Sequence, residues 1–220
     1  MSVVVMSVGG SLINPGEINI AFLERLKAFV VSRPEKFIII TGGGAPARQY
    51  SKAAKELGLS PLSWDFVGIA ATMLNGELVR QLFGVSSKVL QRPRKVELRK
   101  VLVGCGWKPG CSSDYEAVLW AKLYSVKLIV NLSNTDYVFT KDPKKFPDAV
   151  PLKHVSWSNY EKMITSEWTA GLNTPFDPIA TRVAHRAKLK VAVINGQKLE
   201  ELGKCLDDRD FIGTVLSNED

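Results

Sequence analysis

Long apolar runs are missing from this chain. None approaches the roughly 20 residues needed to cross a bilayer, which excludes a membrane-spanning helix and a membrane partner. No charged stretch precedes the first apolar residues, so no export leader is read and a cytoplasmic protein is expected. Cysteine is scarce: Cys105, Cys111 and Cys205 are odd in number and lack metal-ligand spacing, so reduced thiols are expected rather than a structural disulfide. Several signatures are absent as well. There is no G-x-x-x-x-G-K-[ST], no G-x-G-x-x-G after a strand and no H-R-D loop, which excludes the P-loop, dinucleotide-binding and protein-kinase patterns. No repeat, low-complexity tract or linker divides the chain, so residues 1–220 are read as one domain.

What is present is an ordinary globular composition, 45% apolar over 220 residues, enough for a full core. The net charge of +7 makes anions the natural partners. Nucleic acid is the first to consider, but the basic residues are scattered. The one dense group, Arg92, Arg94, Lys95, Arg99 and Lys100, comes with no recognition helix, aromatic RNA-binding motif or metal finger. It reads as a solvated face or a subunit contact. A small phosphorylated molecule accounts for the charge equally well.

The most informative stretch is Ile38-Ile-Ile-Thr-Gly-Gly-Gly-Ala-Pro-Ala-Arg48. Its β-branched run suits a strand covered on both faces. Gly42, Gly43 and Gly44 strip away side chains where that strand ends, and a helix is expected over residues 45–57. A strand, a bare turn and a helix start collect backbone N–H groups and the positive end of a helix dipole, which suits a phosphate. Arg48, one turn on, adds a forked charged donor. The same grammar appears at residues 2–11, where an apolar run ends in Gly9-Gly10-Ser11, and at residues 101–110, where a short strand ends in a glycine-rich loop. Strands are also expected at 85–90, 127–132, 190–194 and 211–216. Helices are expected at 22–32, 64–83 with Asp65 near its start, 115–124, 157–164, 179–187 and 199–205. Ser112, Ser113 and Asp114 read as a helix cap, and residues 171–178 as a loop. Strands alternating with helices, with glycines at strand ends, argue for a mainly parallel sheet covered on both sides, with ligands at the carboxyl ends of its strands. Three glycine turns at one sheet edge suggest two phosphorylated substrates, hence phosphoryl transfer by positioning and charge neutralisation.

Gly9-Gly10-Ser11, Gly42-Gly-Gly-x-x-x-Arg48, Ser112-Ser-Asp114, Ser133-Asn-Thr-Asp-Tyr-Val-Phe-Thr-x-Asp142-Pro-Lys and Asp177-Pro178 together resemble the amino acid kinase superfamily. Their order and spacing are most similar to its uridylate (UMP) kinases of the short archaeal-like form. The resemblance spans nearly the whole chain and is most specific over residues 133–145. It implies a three-layer α/β/α sandwich around one mainly parallel sheet. An acceptor lobe would lie over about residues 1–125 and an ATP lobe over about 126–220. Mg-ATP is implied as donor, UMP as acceptor, and a homo-oligomer, hexamer or dimer, as the assembly. Carried across position by position, Ser7, Gly9, Gly10 and Ser11 match the loop on the ATP phosphates. Gly44 and Arg48 match contacts to the phosphates between the substrates, and Gly43 a contact to UMP. Asp65 matches the carboxylate on the UMP sugar, and Gly106, Trp107, Lys108, Pro109, Gly110, Cys111 and Ser112 the loop around uracil and ribose. Asp114 matches an aspartate beside the reacting phosphates that orients cations. Ser133, Asn134, Phe139 and Asp142 match the adenosine pocket. The chain also departs from the pattern. Ser7 stands where bacterial members carry a lysine, Trp107-Lys108 replaces Thr-His or Thr-Gly-Asn, and Tyr137 replaces glycine.

The resulting reading is ATP + UMP → ADP + UDP by direct in-line transfer. Arg48, Asp114, Gly10, Ser11 and Lys108 are the candidate catalytic groups, Lys108 being the cation that compensates for the missing lysine. The UMP phosphate is already ionised near neutral pH, so His154 and His185 need no catalytic role. Two alternatives stay open: a kinase of the same superfamily with an isoprenoid-phosphate, carbamate or acyl acceptor, and a non-catalytic nucleotide- or oxoanion-binding relative.

Overall fold

The computed structural model describes residues 2–164 and 175–219; residues 171–174 of the expected loop lie outside them. Nine strands and eight helices follow in chain order: β1 (Val3–Val8), α1 (Gly10–Ile13), α2 (Ile20–Ser32), β2 (Lys36–Thr41), α3 (Gly44–Glu56), α4 (Pro61–Leu82), β3 (Val101–Gly104), α5 (Ser113–Tyr124), β4 (Leu128–Ser133), β5 (Val138–Phe139), β6 (Pro151–Leu152), β7 (His154–Ser156), α6 (Trp157–Met163), α7 (Pro178–Arg186), β8 (Lys190–Asn195), α8 (Leu199–Leu206) and β9 (Thr214–Ser217). Seven of the strands form one sheet in the order β3-β2-β1-β4-β8-β9-β7, while β5 and β6 pair separately. All neighbours in the large sheet run parallel except β8 and β9.

Strand alternation sorts the core into two layers. Val5, Ile38, Ile40, Leu102, Ile129, Val191 and Val193 face one side, where Ala117 and Trp120 of α5, Trp157 and Tyr160 of α6, and Ala180 and Ala184 of α7 cover them. Val4, Met6, Phe37, Ile39, Val103, Val130 and Ile194 face the other, under Phe22 and Leu26 of α2, Val79 of α4 and Leu202 of α8. The apolar strand runs are thus buried on both faces, as a parallel sheet requires. The expected three-layer α/β/α sandwich is what forms.

Three local readings need correction. Residues 85–90 form no strand; only Leu90 makes a bridge, to Gly104, because Pro93 and a dense set of charges lie beside it. The long helix starts three residues earlier than expected, with Ser60 as its cap and Pro61 in its first turn, which moves Asp65 from the helix start to the second turn. The last strand begins at Thr214, not at 211, since the Phe211 ring folds back over Gly213, where a Cβ would stand 2.4 Å from it.

The sheet positions the site by bringing two glycine turns into backbone contact. A Cβ on Gly10 would stand 2.6 Å from Gly43 N, and one on Gly44 (φ +66°) 2.5 Å from Gly10 O. Both overlaps are with backbone, which has nowhere to move. Gly10→Ala is therefore expected to destabilise the protein by about 2–4 kcal/mol in urea unfolding. Gly16→Ala, with nothing within 4 Å of its Cβ, should stay within about 0.5 kcal/mol.

Candidate active site

The carboxyl ends of the adjacent strands β3, β2, β1 and β4 open onto one edge, and the glycine loops follow three of them. Gly9 N donates to Leu132 O at 2.9 Å, Gly42 N to Val8 O at 3.0 Å, and Ala45 N to Asn14 O at 2.9 Å, which pins the two loops together. The buried Asn75 amide on α4 donates to Gly42 O at 2.8 Å. The N–H groups of Gly10, Ser11, Gly43 and Gly44 donate to no acceptor among the described residues. They lie at the first turns of α1 and α3, where helices leave such donors over. Arg48 is exposed on α3 and makes no hydrogen bond or ion pair with the described residues. Four free donors therefore cluster where the two loops touch, and α3, which starts there, carries the unengaged Arg48 one turn on.

The third loop joins them through α4. Thr72 Oγ1 accepts from Gly106 N at 2.8 Å and donates to Ile69 O at 2.7 Å. The same side chain faces Gly43, whose Cβ would meet its methyl at 3.5 Å. Asp65 Oδ2 accepts from Gly110 N at 2.8 Å, so this carboxylate is turned toward the loop and is not spent on its own helix end. Lys108 is exposed, with its ammonium 4.7 Å from the Trp107 ring centroid; Arg92 flanks the same ring at 5.5 Å. Pro109, Gly110 and Cys111 are half-buried, and burial pushes the Cys111 thiol up, so it is no reactive thiolate.

Of the expected cap, only Ser112 plays that part: its Oγ accepts from Tyr115 N at 3.1 Å and donates to Asp177. Asp114 looks the other way. Its Oδ1 accepts from Ser7 Oγ at 3.0 Å and its Oδ2 from Asp177 N at 3.3 Å. Asp177 caps α7 by accepting from Ile179 N and Ala180 N at 2.6 and 2.9 Å. Burial, and then the neighbouring charge of Asp177, push the Asp114 carboxyl up to about 7, against the opposing pull of the Ser7 hydroxyl. Two carboxyls are thus held together at the end of β1.

The expected adenosine positions are more dispersed. Ser133 Oγ, at the end of β4, bonds within its own turn to Thr135, and Asn134 is exposed. Phe139 on β5 stands edge-on to Tyr137, ring centroids 6.4 Å apart. Asp142 accepts from Lys144 N at 3.0 Å and is exposed, its contacts all local. Asp136, in the same stretch, is engaged by Asn195 Nδ2 and Lys198 Nζ, both at 2.8 Å, which hold its carboxyl below its ordinary value.

The sequence assigns no role to four of these residues. Thr72 and Asn75 lie on a helix whose packing only the fold decides. Asp177 belongs to the Asp177-Pro178 motif, but only the fold sets it beside Asp114. Glu116 lies within α5, four residues from the buried Trp120 and on the same face. It is fully buried, and burial pushes its carboxyl up to about 8.

The amino acid kinase family model matches residues 2–195. A uridylate kinase of Archaeoglobus fulgidus is 31% identical to the chain over 97% of it and 99% of that protein. Its crystal structure superposes with a TM-score of 0.78, covering 99% of this chain and 100% of that one. The UMP kinase of Bacillus anthracis, at 19% identity, shares the fold with a TM-score of 0.77, covering 100% of this chain and 97% of that one.

The two raised carboxyls set the response to pH. The unfolded chain releases these protons near the ordinary values of 3.8 and 4.5, whereas the folded chain keeps them to about 7 and 8. The folded state therefore binds more protons across that window, and stability falls as pH rises through it. Melting temperature in calorimetry should be lower at pH 8.5 than at pH 5. Asp114→Asn and Glu116→Gln should each flatten the decline, because neither amide titrates.

Proposed function

Given that the chain belongs to the amino acid kinase family, we propose that it is a UMP kinase, transferring the γ-phosphoryl group of ATP to UMP to form UDP. The observation that carries this reading is the meeting of three glycine loops around the free N–H groups of Gly10, Ser11, Gly43 and Gly44 and the unengaged Arg48. The uridylate kinases that match along nearly their full length support the acceptor.

In this reading Gly9, Gly10 and Ser11 hold the donor phosphates, with Ser7 tied to Asp114 beneath them. Gly43 serves the acceptor phosphate, and Gly44 and Arg48 the group in flight between the two. Backbone donors fixed by the fold do not reorganise as charge shifts in the transition state, which is why they lower its energy. Asp65 takes the ribose hydroxyls and the loop from Gly106 to Ser112 surrounds the base, with Lys108 as a further cation near the acceptor. Ser133, Asn134, Phe139 and Asp142 line the adenosine side. The acceptor lobe is about residues 1–125 and the donor lobe about 126–220, sharing one sheet. The UMP phosphate is ionised at neutral pH, so no residue has to remove a proton; holding two polyanions in line is the task.

Mg²⁺ arriving with ATP would supply neutralising charge between the phosphates. The donor set fits it. No group of three or more potential ligands occurs among the described residues, and Mg²⁺ on a nucleotide needs only one or two carboxylates. Asp177 already accepts three hydrogen bonds, against two for Asp114. Asp114, raised by burial and by a like charge, is the carboxyl a cation would relieve.

A homo-oligomer, dimer or hexamer, and a cytoplasmic location complete the reading. No described helix is long and apolar enough to cross a membrane. Leu62, Met73, Leu74 and Leu78 stand exposed along α4, which supports that helix as the subunit contact.

ADP release should be observed with UMP and fall away with isopentenyl phosphate. Tight ATP binding without turnover of any acceptor would favour a non-catalytic relative instead. Arg48→Ala should lower kcat about 100- to 1,000-fold with an unchanged melting temperature, because the side chain supports no described contact. Leu74→Glu should shift the mass in light scattering toward the monomer while the monomer remains folded by circular dichroism.

A further inference from the structure

The fold divides the basic group that the sequence reads as a solvated face or a subunit contact. Leu90 bridges in parallel to Gly104, its N–H donating to Val103 O at 3.0 Å and its carbonyl accepting from Cys105 N at 3.2 Å. The residues after Leu90 therefore run beside the start of the acceptor loop, at the carboxyl edge of the sheet. They carry Arg92 to Trp107, its guanidinium 5.5 Å from the ring centroid. Lys108 meets the same ring at 4.7 Å. Arg92 and Lys108 are exposed, Trp107 is half-buried, and neither cation makes a hydrogen bond or ion pair with the described residues. Two cations thus share one aromatic ring with no described carboxylate to neutralise them.

The tip of the loop offers a ligand little else. Gly106 N is bonded to Thr72 Oγ1 and Gly110 N to Asp65, both at 2.8 Å, so two engaged amides anchor the stretch that holds Trp107, Lys108 and Pro109. Ser112 Oγ already accepts from Tyr115 N and donates to Asp177. Of the other side chains, tryptophan and lysine only donate, proline does neither, and the thiol of Cys111 is a weak partner. None accepts strongly. No side chain at this tip is therefore built to take the N3–H of uracil, the donor that cytosine lacks at that position. What the tip does present is a flat ring and a guanidinium plane, and both stack on nucleobases.

We propose that Trp107 and Arg92 form a stacking platform for the acceptor's base, and that the site in consequence takes nucleoside monophosphates with either pyrimidine, phosphorylating CMP as well as UMP. This rests on the UMP-kinase reading and widens its acceptor. Stacking tolerates a change of base because every base has a π-face. The O2 carbonyl, common to both pyrimidines, is an acceptor for the Lys108 ammonium. In the second activity a phosphate oxygen of CMP forms a bond to the γ-phosphorus of ATP, the bond from that phosphorus to the bridging oxygen breaks, and ADP leaves with the electron pair. The products are ADP and CDP. A sugar phosphate without a base gains nothing from the platform, so the ring selects for a base without selecting which pyrimidine.

Steady-state kinetics of the intact enzyme compare UMP, CMP and ribose 5-phosphate, the acceptor without a base. Wild type should turn over CMP with a kcat/KM within about 10-fold of that for UMP. Ribose 5-phosphate should be about 10- to 100-fold poorer, the contribution of one stacked base. Trp107→Ala should raise the KM for UMP and for CMP by that same factor, leave their ratio and the KM for ATP unchanged, and bring UMP down to the level of ribose 5-phosphate. Arg92→Ala should act in the same direction more weakly. Arg94→Ala, which removes an equal charge from an exposed side chain, should change neither KM. UMP and CMP should each quench tryptophan fluorescence. Trp107→Phe, which keeps a stacking ring, should lose that quench and keep turnover, and this variant decides the matter should Trp107→Ala fail to fold. A merely structural Trp107 would lower activity on all three acceptors alike; that outcome, or a preference for UMP over CMP beyond about 10-fold, overturns the proposal. A wild type inactive on every acceptor ends the UMP-kinase reading and this inference with it. A wild type active on UMP, with Trp107→Ala unchanged, ends this inference alone.

Discussion

Everything at the carboxyl edge of the sheet depends on two backbones approaching more closely than any side chain permits. Gly10 and Gly42 to Gly44 end the neighbouring parallel strands β1 and β2, and each lies where a Cβ on the other would overlap main chain. The contact needs the register that pairs Val8 with Thr41, because a slip of one residue would bring Ser11 or Thr41 into it. Its consequence is chemical. Four amide donors are left without an acceptor among the described residues, held by strands buried on both sides, and so stay in place when an anion arrives.

The second constraint is the buried negative charge. The fold places Asp114 beside Asp177 and seals Glu116 in without a partner, although the chain as a whole is basic. Each placement works against folding at high pH. Carboxyls held this way are found at functional sites, where burial and like charge shift their titration. The positive side chains nearby are arranged oppositely. Arg48 is unengaged, and Lys108 and Arg92 lean on Trp107, so cations are exposed while carboxyls are hidden. A polyanion approaching this edge meets donors first.

The core and the loops were legible for one reason: both are written in local grammar. Ile38-Ile-Ile-Thr with three glycines behind it specifies a doubly covered strand and a bare turn whatever surrounds it, and the three such turns predicted a shared edge. Asp65 needed more. As a helix-start carboxylate it had a bland explanation, and only the actual start at Pro61 and the bond from Gly110 N turn it toward the acceptor loop. Residues 85–90 had the composition of a strand but no neighbour to pair with beyond the single Leu90 bridge.

By itself, then, the sequence determined the layers, the glycine turns, a helix cap within Ser112 to Asp114 and a cation at Arg48, because each follows from side-chain size, periodicity or charge within a few residues. Tertiary structure alone decided which turns touch, that Thr72 bridges two loops, that Asp114 and Asp177, 63 residues apart, share one pocket, and that Glu116 is left without a partner. Those are contacts between distant segments. No spacing along a chain encodes them, since they arise only when the sheet has set its strand order.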